Sequence, residues 1–154
     1  MKRVWAIYFV VLVSTILLVS PIAYLISYAL SEQHAGDAIS TLLTQYYQVK
    51  RNPLITSLLS LFPFLLLAII QGIAQKRKTH VKTCTAMVTG GSLAIFVLMM
   101  WANLTYWPNF LPEVQYPGFP HGLELVIVPL FFAPIGMLLG VLLGWFAGRN
   151  TLKQ

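Results

Sequence analysis

Charge is what this chain has least of. Only 9% of its residues are Asp, Glu, Lys or Arg, against roughly 25% in an ordinary soluble domain. With 58% hydrophobic residues and a mean hydropathy of +0.77, it has too little polar surface to close over a core in water. That excludes a soluble globule and points to the bilayer. Cysteine is nearly missing as well: Cys84 stands alone. A single thiol closes no intrachain disulfide and builds no cysteine-rich metal site. A four-helix quinone-coupled thiol oxidoreductase needs at least one reactive pair, so that class is excluded, and Cys84 is expected to pack at a membrane boundary.

Acids are scarce too, limited to Glu32, Asp37, Glu113 and Glu124, and none lies deep in an apolar run. Ion and proton pathways carry intramembrane carboxylates, histidines or basic residues, so this absence argues against a coupled transporter. Small four-helix drug exporters rely on a carboxylate in their first span, and here there is none. No HExxH or GxSxG pattern occurs. His34, His80 and His121 sit in loops without metal-ligand spacing. No catalytic, cofactor-binding or metal-ligating residue is therefore assigned, and the chain is not expected to be an enzyme. The net charge of +6 does not indicate nucleic acid, because the basic residues form short clusters between apolar runs with no aromatic platform or groove-reading helix.

What is present in abundance is long apolar sequence. Four runs, Val4–Leu30, Pro53–Ala74, Cys84–Tyr106 and Glu124–Ala147, approach or exceed the roughly 20 residues that cross a bilayer as a helix. In hydrocarbon every backbone polar group needs an internal partner, so such runs are helices. The expected fold is all-α: one membrane domain over residues 1–154, built as a four-helix transmembrane bundle. The first run far exceeds the roughly 7–15-residue core of a cleaved signal peptide, so it is expected to remain as a span. Lys2, Arg3, Lys76, Arg77, Lys78, Lys82, Arg149 and Lys153, eight of the ten basic residues, fall on one side. The positive-inside rule makes that side cytoplasmic, with both termini.

The outer loops differ in character. Ile39, Leu42, Leu43, Tyr46 and Tyr47 share one helical face, with Ser40, Thr41, Thr44, Gln45 and Gln48 largely opposite. This spacing predicts an amphipathic helix along the outer interface, capped by Asp37. Asn52 and Pro53 read as a cap and first-turn proline opening the second span. The second outer loop, Trp107 to Gly122, interleaves Pro108, Pro112, Pro117 and Pro120 with Trp107, Phe110, Tyr116 and Phe119. It reads as a stiff, irregular segment that anchors the interface as an aromatic belt or offers a rigid outward docking surface.

The sharpest pattern is in the fourth run. Gly136, Gly140, Gly144 and Gly148 recur every fourth residue and form one slowly turning stripe. Such stripes let helix backbones approach closely inside membranes. Gly90 and Ala94 in the third run are also four apart and suit the facing surface. Packing against another span of the same chain is the simplest use of the stripe; a homo-oligomer or a foreign helix is the alternative. Pro21, Pro63, Pro129 and Pro134 mark candidate kinks. Gln71 and Asn103 are expected to bond between helices, and Asn103-Leu104-Thr105 matches a glycosylation sequon at the bilayer edge.

One segment carries a family likeness. Asn52-Pro53-Leu54-Ile55-Thr56 opens the second span and leads through an apolar run into Lys76-Arg77-Lys78. With the four-pass layout, it resembles the immunity proteins against pore-forming colicins, particularly those of the colicin A type. The likeness in detail covers the middle of the chain, and elsewhere topology alone matches. It implies a bacterial inner-membrane location and an inhibitory role, in which spans and outer loops meet an inserted toxin helix and keep the pore shut. An accessory or assembly subunit of a larger membrane complex is the competing expectation. The lipid bilayer, a membrane protein or inserted toxin helix, and a second copy are thus the expected partners; a lipid-modifying enzyme finds no residue set here.

Overall fold

The structure, a computed structural model, describes residues 2–30, 35–47, 52–110 and 122–150. Among these the regular elements are all helical: α1 (Lys2–Leu30), α2 (Ala35–Gln45), α3 (Pro53–Leu58), α4 (Leu61–Lys76), α5 (Val81–Tyr106), α6 (Glu124–Ile127) and α7 (Ala133–Asn150). Three helical stretches are long and apolar enough to cross a membrane: Lys2–Leu30, Val81–Asn109 and Glu124–Asn150. The third of these joins α6 to α7 through a π-helical turn at Val128–Phe132. Pro129 lies within that turn and Pro134 follows it. Each lacks the N–H that an α-helix would need, and the Ala133 N–H reaches back to the Val128 carbonyl instead.

The second apolar run departs from expectation. Pro53–Ala74 is not one helix but two, α3 and the 16-residue α4. The cause is Pro63, which offers no N–H to the Leu59 carbonyl and whose ring crowds it. The chain tightens there: the Ser60 N–H donates to the Ser57 carbonyl at 3.0 Å and the Phe62 N–H to the Leu59 carbonyl at 3.2 Å. Leu59 and Ser60 keep right-handed helical angles, so the junction bends the path without reversing it. At 1.5 Å per residue α4 alone measures about 24 Å, short of a hydrocarbon core of about 30 Å.

α5 is the hub, packing against α1, α4, α6 and α7. α1 buries one stripe (Val4, Tyr8, Thr15, Val19, Ala23 and Tyr24 among it) and leaves Val10, Val13 and Leu17 exposed. Comparable outward apolar residues on every long helix are compatible with a membrane location; in water such a continuous surface would drive association. The buried side chains form two clusters. One joins Val4 and Tyr8 to Phe64, Leu67, Val88 and Val141. The other, toward the opposite end, gathers Tyr24, Tyr28, Trp107, Leu125 and Val128.

Candidate functional site

Two regions stand out, a closed seam and an open shelf. The seam lies between α5 and α7, which run antiparallel. A Cβ built on Gly90 would collide with the Gly140 carbonyl oxygen, and one on Gly140 with the Gly90 carbonyl oxygen. A Cβ on Gly144 would meet the Ala86 carbonyl and lie 2.9 Å from the Met87 Cα, while one on Gly148 would lie 2.6 Å from the Thr83 Cα. Backbone therefore rests on backbone over three successive turns. Ala94 completes the seam, its Cβ 3.2 Å from the Gly140 position. Gly136 differs: among the described residues it is the Leu98 side chain that covers it, with the Leu98 Cδ1 2.5 Å from the built Cβ. The structure thus brings Gly136, Gly140, Gly144 and Gly148 onto α5, with Gly90 and Ala94 opposite Gly140, inside a single chain.

The basic residues gather at one end. Arg3 of α1 and Lys82 of α5 line a common groove. Contact of Gly148 with Thr83 brings Arg149 to the start of α5, and Lys76, Arg77 and Lys78 form the turn leading into it. Lys2 adjoins Arg3, and Lys153 lies outside the described residues. The turn itself is closed by two caps. Thr79 N–H donates to the Ala74 carbonyl at 3.1 Å and Lys78 N–H to the Gln75 carbonyl at 3.0 Å, the paired bonds of a Schellman end. Lys78 holds φ at 54°, a left-handed position usually given to glycine. His80 then caps α5, its Nδ1 accepting from the Lys82 N–H at 3.3 Å. Neither cap carries the residue type by which sequence reading finds one. Cys84 is fully buried beside this turn, its thiol 3.6 Å from the Thr79 carbonyl.

The other end holds the shelf. Trp107, expected in an interfacial belt, is instead fully buried. Its Nε1 donates to the Ser20 Oγ at 3.0 Å, and the Tyr24 ring meets it edge-on at 5.2 Å. Of the remaining second-loop aromatics, Tyr116 and Phe119 lie outside the described residues. α2 packs over this cluster, but on a different face from the one its apolar residues suggest. Ala38, Leu42 and Gln45 point inward, whereas Ile39 and Leu43 are exposed and Tyr47 is 90% exposed. A helix docked on an aromatic cluster accepts a small residue at Ala38 more easily than a β-branched one at Ile39, and that choice rotates the apolar row outward. Tyr46 is half-buried at the end of α2, and burial raises its phenol pKa.

α2 begins at Ala35, so Asp37 occupies the first turn rather than the cap. There its negative charge still suits the positive helix end. Asn52 does cap α3, its Oδ1 accepting from Leu54 N–H at 2.9 Å and Ile55 N–H at 3.4 Å, with Pro53 following at the first turn. Its Nδ2 also donates to the Tyr46 carbonyl at 2.6 Å. One side chain thus ties the end of α2 to the start of α3. Leu54, Ile55 and Leu58 of α3 are exposed and extend the apolar surface of the shelf.

The polar residues expected to bridge helices do otherwise. Asn103 donates to the Met99 carbonyl of its own helix at 2.9 Å, and its burial closes the sequon. Gln71 is buried with no hydrogen-bond partner among the described residues. Glu124 sits in the first turn of α6 and accepts from the Gly122 N–H at 3.2 Å. Among the described residues no three His, Cys, Asp or Glu side chains cluster as a metal site would require. Comparison with protein families, curated proteins and solved structures finds no match to this chain.

Proposed function

We propose that this chain is a four-pass protein of the bacterial inner membrane, with both termini and the 77–80 turn cytoplasmic. It acts without catalysis, by holding a membrane-inserted helix of a pore-forming toxin. The observation that carries the reading is the exposed pair Ile39 and Leu43 on α2, continued by exposed Tyr47 in the turn that follows, at the end opposite the basic cluster. A helix entering from outside meets that surface first. Apolar side chains presented on one helix face at i and i+4, with an aromatic ring just past the helix end, suit helix-against-helix recognition. Four passes are supported by the continuous right-handed course of residues 53–76, which adds α3 to α4 and reaches bilayer thickness. The clustering of Arg3, Lys76, Lys82 and Arg149 supports the orientation.

Cells producing the chain and challenged with a panel of pore-forming colicins test the function. Protection against one of them is expected, together with its loss in Ile39→Gln/Leu43→Gln at unchanged accumulation. Failure to protect against any pore-former sinks the immunity reading. A stable complex with a host membrane protein in mild detergent would favour the accessory-subunit reading instead. Orientation is tested separately in a Cys84→Ser background. Cysteines at Gln33 and Gln115 should react with an impermeant thiol reagent in spheroplasts, and those at Thr79 and Asn150 only after permeabilisation.

A further inference from the structure

We propose that the groove beside the α5–α7 seam binds one anionic phospholipid, with an acyl chain along its floor and the headgroup phosphate between Arg3 and Lys82. The groove is an open trough of about 970 Å³, at the upper end of the roughly 300–1,000 Å³ typical of small-ligand sites. Its floor is made by Ala86, Gly90 and Ala94 of α5 with Gly140 and Gly144 of α7. The glycines turn their missing side chains toward the facing helix, where a Cβ would collide with backbone, so the two helices meet closely and the groove beside them has a shallow apolar floor. Leu93, Leu139 and Leu143 form apolar walls, and Leu98 closes over Gly136 at the far end. From Lys82 to Leu98 the α5 wall runs about 24 Å at 1.5 Å per residue. That exceeds the hydrocarbon depth of one leaflet, about half of a core of about 30 Å, so an acyl chain lies wholly within it.

Charge selects the occupant. Arg3 and Lys82 come from different helices and both line the groove, and among the described residues no carboxylate does. The described acids, Asp37 and Glu124, belong to the first turns of α2 and α6, away from this end. Arg149, the neighbouring cation, is turned over the Trp145 ring at 4.6 Å. An apolar trough ending in two cations calls for a molecule that is apolar along its length and anionic at one tip. The bilayer supplies such a molecule continuously, and basic pockets between spans are general seats for phosphate-bearing headgroups. This site lies on α5 and α7 with Arg3 of α1 at its basic end, apart from the shelf, so its test needs no toxin.

The experiment is native mass spectrometry of the full chain in mild detergent, titrated with phosphatidylglycerol or with phosphatidylcholine of the same acyl chains. The expected result is one retained phosphatidylglycerol per chain, preferred about thirtyfold, since each basic residue near an anionic headgroup contributes on the order of 1 kcal/mol. Arg3→Gln/Lys82→Gln should reduce that preference to parity. Arg3→Lys/Lys82→Arg should keep it, and so should Lys76→Gln/Arg149→Gln, which removes equal charge from the same end. Equal binding of the two lipids by the unmodified chain overturns the proposal, and that comparison stands even if a variant fails to accumulate. Equal loss in both glutamine pairs would mean diffuse surface attraction and would also overturn it. So would displacement of the lipid by stoichiometric glycerol phosphate, which has a headgroup but no chain.

Discussion

The seam between α5 and α7 and the shelf made by α2 and α3 are both apolar, yet they are built on opposite principles. In the seam side chains have been removed until two backbones touch, and little is left exposed for another protein to read. In the shelf side chains have been kept and turned outward, on a helix held by a few specific bonds. Inside a membrane hydrophobicity alone does not drive helices together, so contact area and close packing must. The seam spends its glycines on that task within the chain. The shelf keeps Ile39, Leu43 and Tyr47 unspent. A pattern of small residues therefore marks what holds the molecule together, and the exposed row is what the proposed function assigns to a partner.

The comparison predicts graded damage. Gly144→Leu and Gly140→Leu should be the most severe, because the new side chain meets the Ala86 or Gly90 carbonyl and neither backbone can swing aside. Overpacking usually costs about 1–3 kcal/mol, and backbone collisions belong at the top of that range or above it. Thermal unfolding in detergent should show the loss while membrane insertion survives, since leucine is well tolerated in spans. Leu139→Ile and Leu143→Ile, on exposed wall positions, should be nearly silent. So should Gly72→Ala, where no atom of the described residues lies within 4 Å of the built Cβ.

At the other end, Trp107→Phe removes the hydrogen bond to Ser20 and leaves a smaller ring in a fully buried site. A cost of about 1–3 kcal/mol is expected. Hydrogen exchange should localise it to α2 and the Ser20–Tyr28 part of α1, leaving α7 protected; loosening of α7 instead would join the two regions into one unit. Asn52→Ala is milder. Loss of a helix cap costs about 1 kcal/mol, and here the tie to the Tyr46 carbonyl goes with it. Faster exchange at residues 53–58 with unchanged exchange across α5 and α7 is the expected result.

Much of the seam was legible in the sequence, because a glycine every fourth residue has one geometric meaning on a helix. The spacing contains no information on which helix fills the stripe, and antiparallel α5 answers that only in three dimensions. Asn52-Pro53 was equally legible, since cap and proline are local chemistry. The shelf was not. Periodicity placed Ile39, Leu42 and Leu43 on one face, but it does not say which edge of that face the bundle takes, and the Tyr24–Trp107 cluster takes Ala38 and Leu42. Trp107 itself read as interfacial by residue type, whereas a serine on α1, distant in sequence, gives its N–H a buried partner. The break before Pro63 was visible as a proline, but a proline inside a span either kinks or divides it, and the tightened Ser57–Ser60 turn decides the case.

The glycine stripe closes on α5 of the same chain. A disulfide tests it most directly. The Gly148 Cβ position lies 3.2 Å from the Thr83 Cβ, close to the roughly 3.5–4.5 Å that a disulfide spans. Thr83→Cys/Gly148→Cys in a Cys84→Ser background should therefore oxidise in membranes to an intrachain bond, leaving the protein at monomer mobility on non-reducing electrophoresis. A dimer band dependent on both cysteines, with no intrachain bond, would place the stripe between chains and contradict the claim.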